Sequence, residues 1–280
     1  MNNGRRQAGI ALIAVLWVVS GLSIIVAAVL AQTRTEARLT RTHVDLARAR
    51  AMSEAGVYRG LYELLRARES VRYGLPEGMP RLEWGTATVT IRIDNEAGKI
   101  DVNHAPELLL QNLFVQAGVG EAQARQLASR TERLRRYSDT TAYGQDEEDT
   151  FASIEDFAAQ LDLSARSWRR MSSWITVHNG RAGINPYVAH KEVLSMLPGF
   201  DPAVLENLLQ EGSPHRLQSR LERIEQVYLT DRLSPVYTVS ASATIDGVST
   251  TVAATIKMSA HRSRPYHILT WSEEPGFQGG

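Results

Sequence analysis

The sequence predicts an α+β protein: a long N-terminal helix packed on a small antiparallel sheet, with a large all-α insertion containing duplicated helix-hairpin-helix-like units. Three observations carry that prediction. Ile10 to Ala31 is a run of 22 residues without a charge, and no proline occurs from Met1 to Leu75. Strand-type alternation occurs near Thr88–Ile93 and returns only after Pro235. Between those stretches the apolar spacing is helical, and part of it repeats at an offset of 84 residues. Composition sets the outer bounds. With 280 residues, 43% hydrophobic and 22% charged, the chain has room for one or two domains and is not a disordered polymer. Lys+Arg and Asp+Glu both total 31, so no global basic field recruits nucleic acid. The absence of cysteine excludes disulfides, Cys-ligated metals and thiol catalysis.

The apolar run Ile10–Ala31, as a helix, covers about 33 Å, enough to cross a hydrocarbon core of about 30 Å. It is longer than the core of a cleavable secretory signal, which is about 7–15 residues, and it has no polar face for a soluble surface. Arg5 and Arg6 precede it; Arg34, Arg38, Arg41, Arg48 and Arg50 follow it. Counted by itself, that asymmetry puts the C-terminal side in the cytoplasm. Beyond the run, Ala47, Ala51, Ala55, Tyr58, Leu61 and Leu65 keep helical spacing. The simplest reading is one helix from about Ile10 to about Arg66, its lower half packed on a soluble domain; the alternative is two helices with a break near Gln32. Gly56 and Gly60 each weaken a helix by about 1 kcal/mol, which is consistent with close packing against a sheet.

After a turn-rich stretch, Tyr73–Pro80, LEWGTATVTIRI alternates Val89, Ile91 and Ile93 with Thr88, Thr90 and Arg92, as a half-buried strand does. The hairpin VYTVSASATI-DG-VSTTVAATIKM is the clearest β signal, with Asp246-Gly247 at its turn. A short strand, Tyr266–Trp271, closes the pattern. The helical stretch 104–234 holds 14 basic and 18 acidic residues. Its repeat aligns Ile100, Asn103-His104-Ala105, Leu109, Leu110 and Leu113 with Ile184, Tyr187-Val188-Ala189, Val193, Leu194 and Leu197. Each copy ends in a glycine hairpin, Gly118-Val-Gly120 and Pro198-Gly-Phe-Asp201.

Such hairpins grip nucleic-acid backbones through amides at a helix N-terminus. Here Asp201 replaces the second glycine of the second copy, and the insertion is net negative, so packing outweighs DNA binding. Arg130, Arg133, Arg135 and Arg136, interleaved with Glu132, read as a solvated helix face. Asp146, Glu147, Glu148 and Asp149 supply the carboxylate oxygens that calcium prefers. They lack the glycine turn and spacing of an EF-hand loop and read first as a solvated acidic loop, with a calcium site second. Asp94, Glu96 and Asp101 around Gly98 read as turn formers. No H-E-x-x-H, G-x-S-x-G, Walker loop or G-x-G-x-x-G occurs, and nothing argues for an enzyme.

The N-terminal segment Gln7-Ala8-Gly9-Ile10-Ala11-Leu12-Ile13, followed by the long apolar helix, resembles a type IV prepilin leader. The resemblance implies cleavage after Gly9 by a prepilin peptidase and methylation of the new N-terminus at Ile10. Residues 1–9 are then leader, 10–31 the membrane part of the helix, 32–103 and 235–280 a pilin-like α/β domain, and 104–234 an inserted helical domain. The Glu usual five residues into the mature chain is Ala14 here. That absence, with the inserted domain and the segments Asp94–Ala105, Gly183–Gly199 and Tyr266–Trp271, resembles the K-type minor pseudopilins of type II secretion (the general secretion pathway protein K family). The resemblance implies a non-catalytic role in protein export across the outer membrane, capping the pseudopilus tip and helping to initiate its assembly. It implies as partners the I- and J-type minor pseudopilins, the major pseudopilin and the prepilin peptidase, and no nucleic acid. It also implies a single-pass inner-membrane protein with its C-terminal domain in the periplasm, against the simple charge count, and an association with calcium. A tip subunit has no subunit above it, so a Glu there would be an unpaired charge in the membrane; Ala14 removes it. A minor pilin of a type IV pilus, and a membrane-anchored helix-hairpin-helix DNA-binding protein, are the alternatives.

Overall fold

The computed structural model describes residues 4–66, 82–85, 87–141, 150–200, 221–259, 261 and 263–275. Helix α1 runs unbroken over Gly4–Arg66, 63 residues, as a proline-free, Ala- and Arg-rich stretch should. It begins before Ile10, so helical backbone passes through the Gly9–Ile10 peptide. Strands β1 (Leu82–Trp84) and β2 (Ala87–Asn95) follow. The chain then leaves the sheet through β3 (Ile100–Asp101), α2 (Glu107–Gln116), α3 (Glu121–Thr141), α4 (Ile154–Gln160), α5 (Ala165–Met171), β4 (Ile175–Thr176) and α6 (Lys191–Leu194). It returns through β5 (Val236–Ile245), β6 (Val248–Met258) and β7 (Tyr266–Pro275).

The five-stranded sheet has order β1-β2-β5-β6-β7 and is antiparallel at every pairing. Asp246 and Gly247 both take positive φ (48° and 82°), as a tight hairpin matched to the strand twist requires. The period of two sorts the faces. Val89, Ile91, Val239, Ala241, Ala243, Val252, Ala254 and Ile256 face α1 and pack with Val57, Leu61 and Leu64. Thr238, Ser240 and Ser242, opposite Thr255, Ala253 and Thr251, take the other face. The small side chains of β5 let α1 approach closely. A Cβ on Gly56 would lie 2.7 Å from Ala241 Cβ, and one on Gly60 would lie 2.5 Å from Val239 Cγ1. The buried Ser53 hydroxyl accepts from the Ala243 N–H (3.1 Å) and donates to the Thr250 carbonyl (3.0 Å). One helix side chain is thus tied into the β5–β6 pair.

The helical part has its own core, built on Leu109, Leu110, Leu113, Phe114, Phe151, Phe157, Met171 and Leu197, and including Ile100 and Val102. Phe157 stands edge-on to Phe151 with centroids 5.1 Å apart. The repeat is visible in backbone detail. Ile100 of β3 pairs in parallel with Ile175 of β4, and Ile184 bridges in parallel to Leu229. Asp101 Oδ1 accepts from Asn103 N, as Asn185 Oδ1 accepts from Tyr187 N. Helices α2 and α6 start 84 residues apart, from caps of matching extended geometry at Pro106 and His190. Asn112 Nδ2 donates to Met196 O at 2.8 Å, an offset of 84 again. A bond between corresponding positions is what an internal two-fold axis produces. The copies differ in length: α2 has 10 residues and α6 has 4, and the left-handed glycines are Gly118 and Gly199.

Two readings of the sequence need correction. The stretch between the sheet strands is not wholly helical, since β4 lies inside it and pairs with β3. Two-residue strands leave no periodicity to read, and their pairing spans 75 positions. Arg135 is not a solvated helix residue. Its guanidinium turns inward and donates to the carbonyls of Val102 and Ala105, the latter at 2.7 Å. Burial pushes it down to about 10, partly opposed by Asp101 and Glu132, so it stays protonated at neutral pH.

Candidate functional site

Helix α1 is long and apolar enough to cross a membrane, and its apolar stretch is not buried against any other described residue. From Leu12 to Val44 every residue is exposed, a projection of about 50 Å; burial starts at Asp45 and Ala49. Trp17 is 75% exposed. The polar side chains near the apolar stretch are satisfied within the helix: Ser23 Oγ donates to Val19 O at 2.8 Å and Thr33 Oγ1 to Val29 O at 2.9 Å. Such i−4 bonds let hydroxyls enter an apolar medium without an orphaned donor. Ala14 lies on this exposed stretch and brings no charge to it. Gly9 and Ile10 lie in helical backbone one turn before.

Where α1 reaches the sheet, an aromatic surface remains open. Tyr58 and Tyr62 are each 55% exposed. Tyr58 meets Trp271 of β7 with centroids 5.9 Å apart, and the Arg59 guanidinium lies 5.6 Å from the Tyr62 ring centre.

The junction between sheet and helical part is built from polar side chains. Asn95 staples the outgoing chain to the returning one: its amide donates to Ser234 O (2.9 Å), and its Oδ1 accepts from Ala97 N and Ser234 N (3.0 Å each). Buried Glu96 accepts from Lys99 Nζ and Thr238 Oγ1, both at 2.7 Å. His190, at the cap of α6, meets Asp94 of β2 at 3.1 Å. The Asp94 hydrogen bond raises His190 above its usual value, against burial. Burial works to raise Asp94, but the His190 bond and the charges of Arg92, His190 and Lys99 outweigh it and hold the carboxyl low. Asp101, fully buried, accepts from Asn179 N (3.0 Å) and Gly180 N (2.7 Å) as well as from Asn103. Asp94, Glu96 and Asp101 therefore do not converge. Each is engaged with a separate partner, and no group of three or more His, Asp or Glu suited to a metal occurs among the described residues.

The calcium candidates Asp146, Glu147, Glu148 and Asp149 lie outside the described residues. Of the two hairpins, Gly118 takes φ +88° and has Arg170 Nη1 against the place a Cβ would occupy. Gly199 takes φ +79°, and Asp201 lies outside the described residues.

Between the hydroxyl-bearing face of the sheet and the helical part lies a cleft of about 870 Å³. Its sheet wall carries Ser240 and Thr270, and its opposite wall carries Trp168, Ser173 and Trp174. No sequence feature marked it, because its walls come from segments more than 60 residues apart.

No protein-family model matches the chain, and no curated protein matches it. Among solved structures, it is similar to a chain of the GspK-GspI-GspJ complex from the Type 2 Secretion System of enterotoxigenic Escherichia coli. The identity is 13% and the TM-score 0.44, over 88% of this chain and 100% of that chain.

Proposed function

We propose that this chain is a minor pseudopilin of the type II secretion system that caps the pseudopilus tip, helps initiate its assembly, and has no catalysis of its own. One observation carries the reading: a single helix joins a short basic segment ending in Gly9, an exposed apolar stretch with Ala14 in place of a carboxylate, and a lower half docked on an antiparallel sheet. The exposed stretch anchors the precursor in the inner membrane and then packs among other subunits; both environments are apolar and both favour an uncharged helix. The bulk of the inserted helical part supports a terminal place over one repeated in every layer of a thin filament. The reading orients the sheet and inserted domain to the periplasm. It makes the I- and J-type minor pseudopilins and the major pseudopilin the partners, and the exposed Tyr58–Tyr62–Trp271 surface supports a packing role there. The acidic run Asp146–Asp149 is the proposed calcium loop.

The test is the intact mass and N-terminal sequence of the membrane-extracted protein, with and without co-expressed prepilin peptidase. A methylated Ile10 start that needs the peptidase is the expected result. A start at Gln32, after the small residues Val29 and Ala31 that a secretory signal peptidase would accept, or at Met1 in both samples, overturns it. The Gly9–Ile10 peptide lies in helical backbone, so cleavage requires that turn to open first.

A further inference from the structure

We infer that the cleft between the sheet and the helical part is a binding site for an uncharged, polyhydroxylated oligomer, a glycan strand. Its volume, about 870 Å³, is that of a ligand site and exceeds an ordinary packing defect. The chemistry of its two walls selects the ligand. Five of the ionisable groups that line it are engaged with one another, and Glu155, Arg170, His178 and Glu192 also stand on its walls. Arg92 pairs with Asp94 at 3.1 Å, Asp94 with His190 at 3.1 Å, and Glu96 with Lys99 at 2.7 Å and Thr238 at 2.7 Å. Arg92, Lys99 and Arg170 stand against the carboxylates Asp94, Glu96, Glu155 and Glu192, so the lining has no positive excess and a polyanion such as nucleic acid gains little there.

Neutral groups remain unspent as well. The side chains of Ser240, Thr270, Ser173 and Trp174 make no hydrogen bond among the described residues. The sheet face therefore offers two hydroxyls that both donate and accept, Ser240 on β5 and Thr270 on β7, with β6 between them. The facing wall adds two half-buried indoles, Trp168 and Trp174, held by the helical core. A sugar ring matches this pair of walls. Its axial C–H bonds give an apolar face that lies on an indole, and its equatorial hydroxyls donate and accept at the edge. An extended polypeptide matches less well, because the sheet presents side-chain hydroxyls here and its backbone groups are paired within the ladder. The inference does not depend on the anchoring role.

The test uses the full-length protein in a detergent without a sugar head group. Tryptophan fluorescence and calorimetry follow titration with chitotetraose, an N-acetylated cell-wall-type glycan, and with maltotetraose, a plain glucan. Saturable binding of either is expected, and the preferred one assigns the source. Trp168→Ala should weaken binding about tenfold or more, equivalent to about 1.4 kcal/mol. Because Trp168 also packs on the core, Ser240→Arg and Thr270→Arg test the sheet wall independently, and each should abolish binding. Tyr62→Phe, which changes a side chain on α1 outside the cleft, should leave it unchanged. No saturable binding of either tetrasaccharide overturns the inference, as does equal binding by Ser240→Arg. Binding confined to a sulfated oligosaccharide or to an extended tetrapeptide also overturns it.

Discussion

Replacing Gly60 by alanine sets two calculable effects against each other. In a free helix the change is stabilising by up to about 1 kcal/mol. In this fold the new methyl would lie 2.5 Å from Val239 Cγ1 and 3.1 Å from Ile91 Cγ2, and at Gly56 it would lie 2.7 Å from Ala241 Cβ and 2.9 Å from Val89 Cγ1. Carbon pairs rest at about 3.5–4.0 Å, so α1 must lift from the sheet by about 1 Å. Overpacking of a tight core costs about 1–3 kcal/mol. The packing penalty exceeds the propensity gain, and each substitution should destabilise by about 1–2 kcal/mol net. The pair should cost less than the sum, because the helix lifts only once for both. Gly21→Ala is the internal control: nothing lies within 4 Å of its Cβ position, so only the propensity gain applies. Thermal unfolding of the detergent-solubilised protein, followed by tryptophan emission with a Trp271→Phe variant to isolate the Trp271 signal beside Tyr58, reports on the α1–sheet contact. Midpoints for Gly56→Ala and Gly60→Ala at or above that of Gly21→Ala would refute the close-approach argument.

Two further outcomes follow from the polar contacts. Ser53→Ala leaves the Ala243 N–H and the Thr250 carbonyl without the hydroxyl that joins them, at a cost of about 1–3 kcal/mol; the same melt measures it, and an unchanged midpoint would mean that water replaces the hydroxyl. The His190–Asp94 contact should be pH-dependent. His190 is raised in the fold, so its contribution is complete below the unfolded value of about 6.5 and is lost as pH rises through the folded value. Asp94 is lowered, so its contribution is present above the unfolded value of about 3.9 and is lost as pH falls through its folded value. The midpoint difference between wild type and His190→Ala should therefore peak near pH 5–6 and vanish in alkali. Because His190 is 41% exposed, the gain stays below about 1 kcal/mol. A difference that grows above pH 8 would contradict the assignment.

The parts legible in the sequence are those governed by near neighbours. Absence of proline and continuous helical spacing specify α1, and alternation with Asp246-Gly247 specifies β5 and β6, because backbone preference and face periodicity act within a few residues. Gly56 and Gly60 were readable as close-packing positions because glycine inside a helix is otherwise a cost. The repeat was readable because Leu109, Leu110 and Leu113 and their counterparts fill equivalent core positions, and buried volume is written in residue type. The proposed roles of the Gly9–Ile10 junction and of Ala14 rest on sequence alone, because on that proposal both act through partners outside this chain.

Other features are decided by groups that meet only after folding. The β3–β4 pair is too short to carry a period and joins segments 75 residues apart. Arg135 belongs by spacing to a charged helix face, and only the carbonyls of Val102 and Ala105 arriving beside it turn its guanidinium inward. Asp94, Glu96 and Asp101 are neighbours along the chain, yet tertiary structure sends each to a different partner. The cleft exists only because the sheet's hydroxyl face and the wall of Trp168 and Trp174 come to stand opposite one another. Local chemistry chose the elements; long-range pairing, which no local period encodes, chose what they face.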